Sequence, residues 1–379
     1  MDRCPLELWT RIVTFACTDG GYTGCSLSLV SHTMHNIAEP IRYRAISILG
    51  NQKLFAFAAR LATMSKPPVI RHLLIADVRA DRPDRPSGHD AHNRELMASW
   101  MEKRHKASEE EAAINRSLPG IISSAAPYLY TLVIHDWSYD PIFDFIQFPL
   151  LRDATLTRVP RRSCASDTHT RFPRLRRLHI LYPSSVQGGL WDDLIKFAPQ
   201  LTHLRLTGIT VDTQLPPFLR LLLDIPPPKQ DPIWQHIPII TGYSTFPPGS
   251  NDAQQALAVA AQLPALRYIC VHPAIYKSHD SCGFSFTLHR EMLSDLRRVA
   301  NAMRNWRGAT RKFVLLPKEM PYGAKEARKD WLNAIEGGEG PWTEGSNGLA
   351  STSRPAHELA PSPGPAIFIV AGRMMLVSR

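Results

Sequence analysis

Four side chains of types that bind zinc lie within thirteen residues of one another, at Cys270, His272, His279 and Cys282. Thiolate and imidazole groups are the usual protein ligands of zinc. Their spacings, Cys-x-His followed by His-x-x-Cys, match none of the common zinc patterns. Cys270 also falls between Ile269 and Val271 in a predicted strand, where a buried thiol is ordinary. We therefore expect no bound metal, and a metal-dependent hydrolase centred on these four residues is the enzyme alternative.

Other patterns typical of catalysis are weak or missing. Asp192 and Asp193 form a carboxylate pair, but they open a predicted helix, where acidic side chains stabilise the helix dipole. The segment Gly337–Gly340 is rich in glycine but follows a predicted helix, whereas a cofactor loop follows a strand. The chain contains no Gly-x-Ser-x-Gly nucleophile elbow and no phosphate-binding loop ending in Gly-Lys-Ser or Gly-Lys-Thr. The sequence therefore predicts a protein that is not an enzyme and that binds no cofactor.

The composition, with 44% hydrophobic and 21% charged residues among 379, is typical of a soluble globular protein. No N-terminal stretch has the pattern of a signal peptide. The two longest apolar runs, Leu215–Ile225 and Ala366–Val377, contain charged residues and are shorter than a membrane helix. The six cysteines form no regular framework, which favours reduced thiols. We therefore expect a soluble protein of the cytoplasm, the nucleus or both.

The net charge of +10 favours acidic partners on electrostatic grounds. Lysine and arginine residues are spread over the whole length and do not form a basic block. A solvated surface explains such a distribution more simply than a nucleic-acid site does. We therefore expect neither nucleic acid nor a membrane as a partner.

A motif of proline and aliphatic residues recurs six times and predicts the fold. The motif is Pro-x-Leu-x-x-Leu-x-Leu with aliphatic substitutions, and its copies begin at Pro68, Pro127, Pro149, Pro173, Pro199 and Pro264. Proline ends the preceding helix, and the last two aliphatic residues face one side of a short strand. Pro149, Pro173 and Pro199 are separated by 24 and 26 residues, which is within the period of leucine-rich repeats.

We therefore expect an α/β fold in which an irregular leucine-rich-repeat-like solenoid occupies residues 51–336. The intervals of 59 residues before Pro127 and 65 residues before Pro264 would hold insertions or degenerate units. Unrelated strands that follow proline-terminated helices are the alternative. Glycine, serine and proline dominate residues 337–365, which predicts a flexible linker or tail. Residues 366–379 form an apolar segment of unknown order.

Three further elements are predicted near the end of the body. Apolar residues recur at helical spacing from Leu288 to Met303 and predict a long helix. A last strand is expected at Arg311–Leu316, and a last helix at Lys325–Ile335.

The first fifty residues contain two amphipathic helical segments. Pro5 suits the first turn of a helix, and the apolar stripe of that helix is formed by Leu8, Ile12, Phe15 and Ala16. A break at Asp19–Gly21 precedes the second segment, Ser26–Ile37, which Pro40 ends. Helices this short cannot build a core alone, so they must pack against the rest of the chain or against another protein.

Five stretches in this segment form a familiar pattern: Pro5–Trp9, Arg11–Ile12, Leu27–Ser31, Pro40 and Tyr43–Arg44. The pattern resembles an F-box, most closely the F-box-like segments of basidiomycete fungi. The chain departs from the family at Cys4, where leucine is usual, and in the loop Thr18–Cys25, which is longer. In the family this segment binds the small Skp-type adaptor of cullin-based ubiquitin ligases. The resemblance therefore implies adaptor-binding contacts at Pro5, Leu6, Leu8, Ile12, Leu29, Val30 and Ser31.

These features predict a substrate-recognition adaptor of a cullin-type (SCF) ubiquitin ligase. An F-box-like segment at residues 1–50 would bind the Skp-type adaptor, and the leucine-rich-repeat-like domain at residues 51–336 would recruit an unknown target protein. The alternative is a leucine-rich-repeat interaction scaffold without a role in ubiquitin transfer. In that case the N-terminal helices would cap the repeats, and the side chains buried against the first repeat would be Leu8, Ile12, Leu29 and Val30.

Overall fold

The computed structural model describes residues 4–78, 94–135, 146–157, 171–182, 190–225 without 211 and 213, 258, 261–275, 283–317 without 307 and 309, 322–342, 367–370 and 373–376. The chain divides into two units, Met1–Thr343 and Glu344–Arg379. The expected division into residues 1–50, 51–336, 337–365 and 366–379 stays a prediction.

One eight-stranded sheet forms the centre of the first unit, and its strands follow one another in chain order. They are β1 (Ala45–Leu49), β2 (His72–Ala76), β3 (Thr131–Ile134), β4 (Asp153–Leu156), β5 (Arg177–Leu181), β6 (His203–Ile209), β7 (Tyr268–Pro273) and β8 (Lys312–Leu315). Every neighbouring pair is parallel. In the second unit, β9 (Ile367–Val370) and β10 (Arg373–Leu376) form an antiparallel pair.

Nine α-helices lie among the described residues. They are α1 (Leu6–Ala16), α2 (Tyr22–Leu27), α3 (His32–Ala38), α4 (Asn51–Thr63), α5 (Arg94–Ala125), α6 (Leu190–Phe197), α7 (Leu215–Leu222), α8 (Gly283–Asn305) and α9 (Ala324–Ile335). The expected long helix is α8, the expected last strand is β8 and the expected last helix is α9. The pair Asp192–Asp193 lies in the first turn of α6, as predicted.

The six motif copies occupy β2 to β7 in one common register. The middle aliphatic residue of each copy pairs with the next across the sheet, in the order Leu73, Leu132, Ala154, Leu178, Leu204 and Ile269. All six side chains are buried in the main core, together with apolar residues of α4 to α8. The motif therefore predicted the positions of these strands correctly, and the structure shows in addition that equivalent motif positions pair across the sheet.

The expectation of an irregular leucine-rich-repeat-like solenoid is wrong. The strands form one continuous, all-parallel sheet with helices packed on it in layers, which is a layered α/β arrangement. The connections are not repetitive, since the 32-residue helix α5 lies between β2 and β3 and the 8-residue helix α7 between β6 and β7. The motif describes a strand and the corner before it, and any parallel sheet can contain those features.

Part of the second face of the sheet is covered by α9. Ala327 and Trp331 of this helix are buried and pack against Leu74, Ala76 and Val133. The strands are therefore buried on both sides at this place, which is usual for parallel sheets. A repeat solenoid would offer this face as an open binding surface, so α9 also argues against that prediction.

The helices α1 to α3 form a small core of their own, and its buried side chains are Val13, Cys17, Met34, Ile37, Ala38 and Ile41. The expected single helix Ser26–Ile37 is wrong, because the chain turns between α2 and α3. Ser31 explains this turn, since its hydroxyl accepts a hydrogen bond from the Met34 N–H at 3.2 Å and caps α3. Asp19 acts similarly before α2, where it accepts from the Thr23 N–H at 2.9 Å.

Candidate protein-binding surface

The helix α1 is apolar on two sides, and one of them faces solvent. Val13 lies in the core of α1–α3, with the partly buried Trp9 packed against that core. On the opposite side, the exposed fractions of Leu8, Ile12 and Phe15 are 47%, 52% and 79%, and Leu6 in the first turn is 59% exposed. Removing apolar surface from water is favourable by about 25 cal/mol per Å², before the costs of association are subtracted. The outer side of α1 is therefore suited to contact another protein.

The turn between α2 and α3 exposes two more large apolar side chains. Leu29 and Val30 are 62% and 61% exposed. Their backbone is held by two hydrogen bonds of 3.2 Å, from the Leu29 N–H to the Ser26 carbonyl and from the Val30 N–H to the Leu27 carbonyl. The turn thus presents both side chains from a hydrogen-bonded backbone.

All seven residues at which the resemblance implies adaptor contacts are exposed on the α1–α3 unit: Pro5, Leu6, Leu8, Ile12, Leu29, Val30 and Ser31. Because the three helices pack around one core, the α1 residues and the turn residues belong to one folded unit. Adaptor binding by these residues stays a prediction. We term the exposed apolar residues of this unit the N-terminal apolar surface; they are Leu6, Leu8, Ile12, Phe15, Tyr22, Leu29 and Val30.

Two members of the N-terminal apolar surface, Phe15 and Tyr22, were not among the expected contact residues. They are its most exposed members, at 79% and 72%. Phe15 could have been included because it continues the stripe of α1, whereas Tyr22 lies in the predicted loop and gave no periodic signal. Seven of the fifteen exposed large hydrophobic residues in the described parts of the chain lie within residues 6–30. Such a concentration is typical of an interaction site.

The cap alternative required Leu8, Ile12, Leu29 and Val30 to be buried against the body. Each of them is at least 47% exposed. The described structure therefore lacks the feature on which that alternative depended.

A group of buried polar residues on the second face of the sheet was not expected from the sequence. Its members are His135, His179, Arg205, Thr207 and His272. The His179 Nε2 atom lies 2.8 Å from the Thr207 hydroxyl oxygen, to which the Arg205 Nε–H also donates at 3.3 Å. Arg205 donates a further hydrogen bond to the Pro341 carbonyl. The polar group therefore binds the chain segment that crosses this face after β8.

Burial explains the protonation states of His179 and of Tyr322, whose ring lies 4.8 Å from the His179 ring. Burial lowers the pKa of His179 well below its ordinary value, and the positive charge of Arg205 lowers it further. Burial, followed by the charge of Asp330, raises the pKa of Tyr322 well above its usual range, and the Tyr322 hydroxyl donates to Asp330 Oδ2 at 2.9 Å. At neutral pH the histidine is therefore uncharged and the tyrosine is protonated.

The four potential zinc ligands are only partly described. Cys270 and His272 lie on the same face of β7 and both are buried. Burial raises the pKa of the Cys270 thiol to about 11, so the thiol is protonated in the metal-free protein at neutral pH. His279 and Cys282 lie outside the described residues. Within the described ranges, no group of three or more His, Cys, Asp or Glu side chains could hold a metal ion.

None of the helices in the described part of the chain is long and apolar enough to cross a membrane. No protein-family model, curated protein or solved structure matches the chain. The features of the chain that bear on its function are therefore the N-terminal apolar surface and the residues that resemble an F-box.

Proposed function

We propose that the chain is a substrate-recognition adaptor of a cullin-type (SCF) ubiquitin ligase and acts in the cytoplasm, the nucleus or both. The N-terminal apolar surface binds the Skp-type subunit, and the α/β body recruits a target protein. The observation that carries the proposal is the exposure of the five large apolar residues at which the resemblance implies contacts, namely Leu6, Leu8, Ile12, Leu29 and Val30.

The free energy of binding would come from apolar side chains that are about half covered in the free protein. Complete burial of an exposed leucine or isoleucine stabilises by about 1.5–3 kcal/mol, so each half-covered side chain has about half of that to contribute. Phe15 offers more because it is 79% exposed. The lost freedom of the two partners offsets part of this sum. The apolar side chains therefore contribute a favourable part of the binding free energy.

The body holds the α1–α3 unit at a defined place. The strand β1 follows α3 and pairs with β2 from Ala45 to Leu49. The loop before α2 is also attached, because the Ser47 N–H donates to the Gly20 carbonyl at 3.3 Å. An adaptor acts by proximity, since it holds its target near the ligase and makes the transfer step effectively local. Firm attachment of the adaptor-binding helices to the body serves that mechanism.

Co-expression with the Skp-type subunit from the same source tests the proposal. Purification on the partner's tag should recover the wild-type chain but not the double variant Leu8→Asp/Ile12→Asp, because binding would desolvate two carboxylates. The matched control is Leu96→Asp/Met101→Asp on α5, where the original side chains are 47% and 63% exposed. The control should retain the complex.

Circular dichroism must first show that each variant is folded. If folded wild-type protein forms no complex, or if the control variant loses the complex as completely as Leu8→Asp/Ile12→Asp does, the adaptor proposal is wrong.

A further inference from the structure

The residues that immediately precede the eight strands form a row across the N-terminal ends of the sheet. Backbone hydrogen bonds join them in order. The first bond runs from the Arg71 N–H to the Arg44 carbonyl at 2.8 Å, and a later one from the Arg267 N–H to the Thr202 carbonyl at 2.9 Å. The same ladder that pairs the strands therefore places these residues side by side. We term them the strand-start row.

Six of the eight positions in the strand-start row are arginine: Arg44, Arg71, Arg152, Arg176, Arg267 and Arg311. Tyr130 and Thr202 occupy the other two. Fewer than one in eight residues of the chain is lysine or arginine, so chance would place about one basic residue in the row. Residues that look evenly spread along the sequence are therefore gathered by the fold into one line.

Five of these arginines form no ion pair with a carboxylate among the described residues. Arg152, Arg176 and Arg267 are exposed, and Arg44 and Arg71 are half-buried. Within the described ranges, no hydrogen bond or ion pair joins any of the five to an acidic side chain. Their charges are therefore open to an acidic partner.

The sixth arginine has a structural role. The Arg311 guanidinium donates to the carbonyls of Leu222 and Leu266 at 2.6 Å and 3.0 Å. It supports the packing of α7 and the corner before β7, so we do not count it among the binding residues.

The surroundings of the strand-start row are positive. Three described carboxylates act on it or beside it. Asp153 lies 3.6 Å from Arg177 Nε and also feels the charges of Arg152 and Arg176. The charge of Glu339 acts on His203, and that of Asp224 acts on Arg311. Burial, followed by the charges of Arg44 and Arg71, lowers the pKa of His72 to about 4. Arg44 and Arg71 thus both act on the His72 side chain.

We propose that the strand-start row binds an extended acidic segment of another protein. Neighbouring strands lie about 4.8 Å apart, so the row spans about 29 Å from Arg44 to Arg267, which is the length of about nine residues of extended chain. Guanidinium groups hold carboxylates by paired hydrogen bonds, which a lysine cannot do. A line of arginines therefore suits a run of carboxylates that lies along it.

The aromatic residues beside the row favour a peptide over nucleic acid. Single strands of nucleic acid are usually held by bases stacked on free aromatic rings. The ring of Tyr130 already lies between two guanidinium groups, 5.8 Å from that of Arg71 and 5.4 Å from that of Arg152. The ring of Tyr268 packs against His203 and Trp342 at 5.4 Å and 6.3 Å. Neither ring is therefore free to stack on a base.

In the proposed function the acidic segment belongs to the target that the adaptor recruits, and in that respect the inference rests on the proposed function. Binding of an acidic segment can nevertheless be measured without the Skp-type subunit. The row and the N-terminal apolar surface also share no residue. Each site can therefore be inactivated separately.

Fluorescence anisotropy with a fluorescein-labelled dodecamer of glutamate, the full-length protein and about 50 mM NaCl tests the inference, since low salt limits screening. Loss of two arginines in Arg152→Gln/Arg176→Gln should raise the Kd at least about tenfold. The control Arg297→Gln/Arg304→Gln removes the same charge from exposed positions of α8 and should change the Kd less than about threefold. The single variant Arg176→Gln, which disturbs no cation–π contact, should give an intermediate Kd.

Three results would overturn the inference. In the first, the peptide does not bind. In the second, both double variants weaken peptide binding equally, which would indicate attraction by net charge alone. In the third, a labelled oligonucleotide of twenty thymidines binds more tightly than the peptide, and this binding is lost in Arg152→Gln/Arg176→Gln. That result would assign the row to nucleic acid. Leu8→Asp/Ile12→Asp should keep peptide binding, and Arg152→Gln/Arg176→Gln should keep the Skp-type complex, so failure of one proposal can be told from failure of the other.

Discussion

Gly20 and Ser47 meet where the N-terminal helices join the sheet. The Gly20 carbonyl accepts the Ser47 N–H at 3.3 Å, and a Cβ atom added to Gly20 would lie 2.8 Å from the Cβ atom of Ser47. Gly20 has a φ of +85°, which disfavours any residue with a side chain. Both the close approach and the backbone conformation therefore require glycine at this position.

Replacing Gly20 with alanine should lower the free energy of unfolding by about 2–4 kcal/mol, because the strained backbone and the overpacked contact both cost stability. Gly337→Ala is the matched control, since Gly337 has a φ of +93° and no atom within 4 Å of an added Cβ. The control should cost only the backbone part, about 1–2 kcal/mol. Urea denaturation measures both values, and equal losses would contradict the importance of the contact.

A motif residue inside the sheet should be far more sensitive than an apolar residue of the N-terminal surface. Leu178 is fully buried between strands and helices, so Leu178→Ala should lower the free energy of unfolding by about 2–5 kcal/mol. Leu29→Ala should change it by less than about 0.5 kcal/mol, because Leu29 is exposed. Thermal and urea denaturation check both values. A loss below 1 kcal/mol at Leu178 would be inconsistent with the core described above.

The helix α9 should be an integral layer of the fold. Trp331→Ala removes a buried ring from the contact with Leu74 and Val133 and should cost about 3–5 kcal/mol of unfolding free energy. Trp306→Ala, at a position that is 38% exposed, is the control and should cost much less. Urea denaturation followed by circular dichroism measures the difference. Similar small losses for both variants would show that α9 contributes little to the fold.

The stability of the protein should fall as the pH decreases from 7 to 5, in part because of His72. Burial, with the charges of Arg44 and Arg71, lowers the pKa of His72 from 6.5 to about 4 in the folded protein. The ring packs near Tyr130 and hydrogen-bonds to the Thr131 hydroxyl at 3.0 Å. Between these pKa values the unfolded chain binds more protons than the folded one, so the free energy of unfolding decreases as the pH falls.

The variant His72→Gln should reduce this pH dependence, and His32→Gln at an exposed position should leave it unchanged. Urea denaturation at pH 7 and pH 5 provides the comparison. An identical pH dependence in wild type and His72→Gln would show that the buried histidine is not responsible.

The strands were easier to predict from the sequence than the connections between them. Leu73 and Leu132 recur at the same motif position because each faces the helices from a strand. Apolar residues two positions apart lie on the same face of a strand, so their spacing in the sequence indicates the strand. A connection leaves no such pattern, because a helix of any length can return the chain to the next strand. The turn before α3 was missed for a related reason. Helical spacing continues through Val30 and Met34, and only the cap at Ser31 reveals the turn.

The motif contains a signal for the strand-start row. Arginine directly follows the first aliphatic residue in four of the six copies, at Arg71, Arg152, Arg176 and Arg267. The aliphatic positions predicted the strands, but the arginines become neighbours only once the strands pair in register. The exposure of Leu8 and Leu29 could not be predicted either, because an apolar stripe does not tell whether the chain itself or a partner covers it.

The order of the strands has a consequence for folding during synthesis. Because each strand pairs with the one before it in the sequence, the sheet can grow strand by strand as the chain leaves the ribosome. The helix α9 emerges late, yet Trp331 packs with Ala45 and Leu74 from the start of the sheet. Until then the second face of the first strands is unprotected, so a nascent chain stalled before α9 would present that face to chaperones or to other nascent chains.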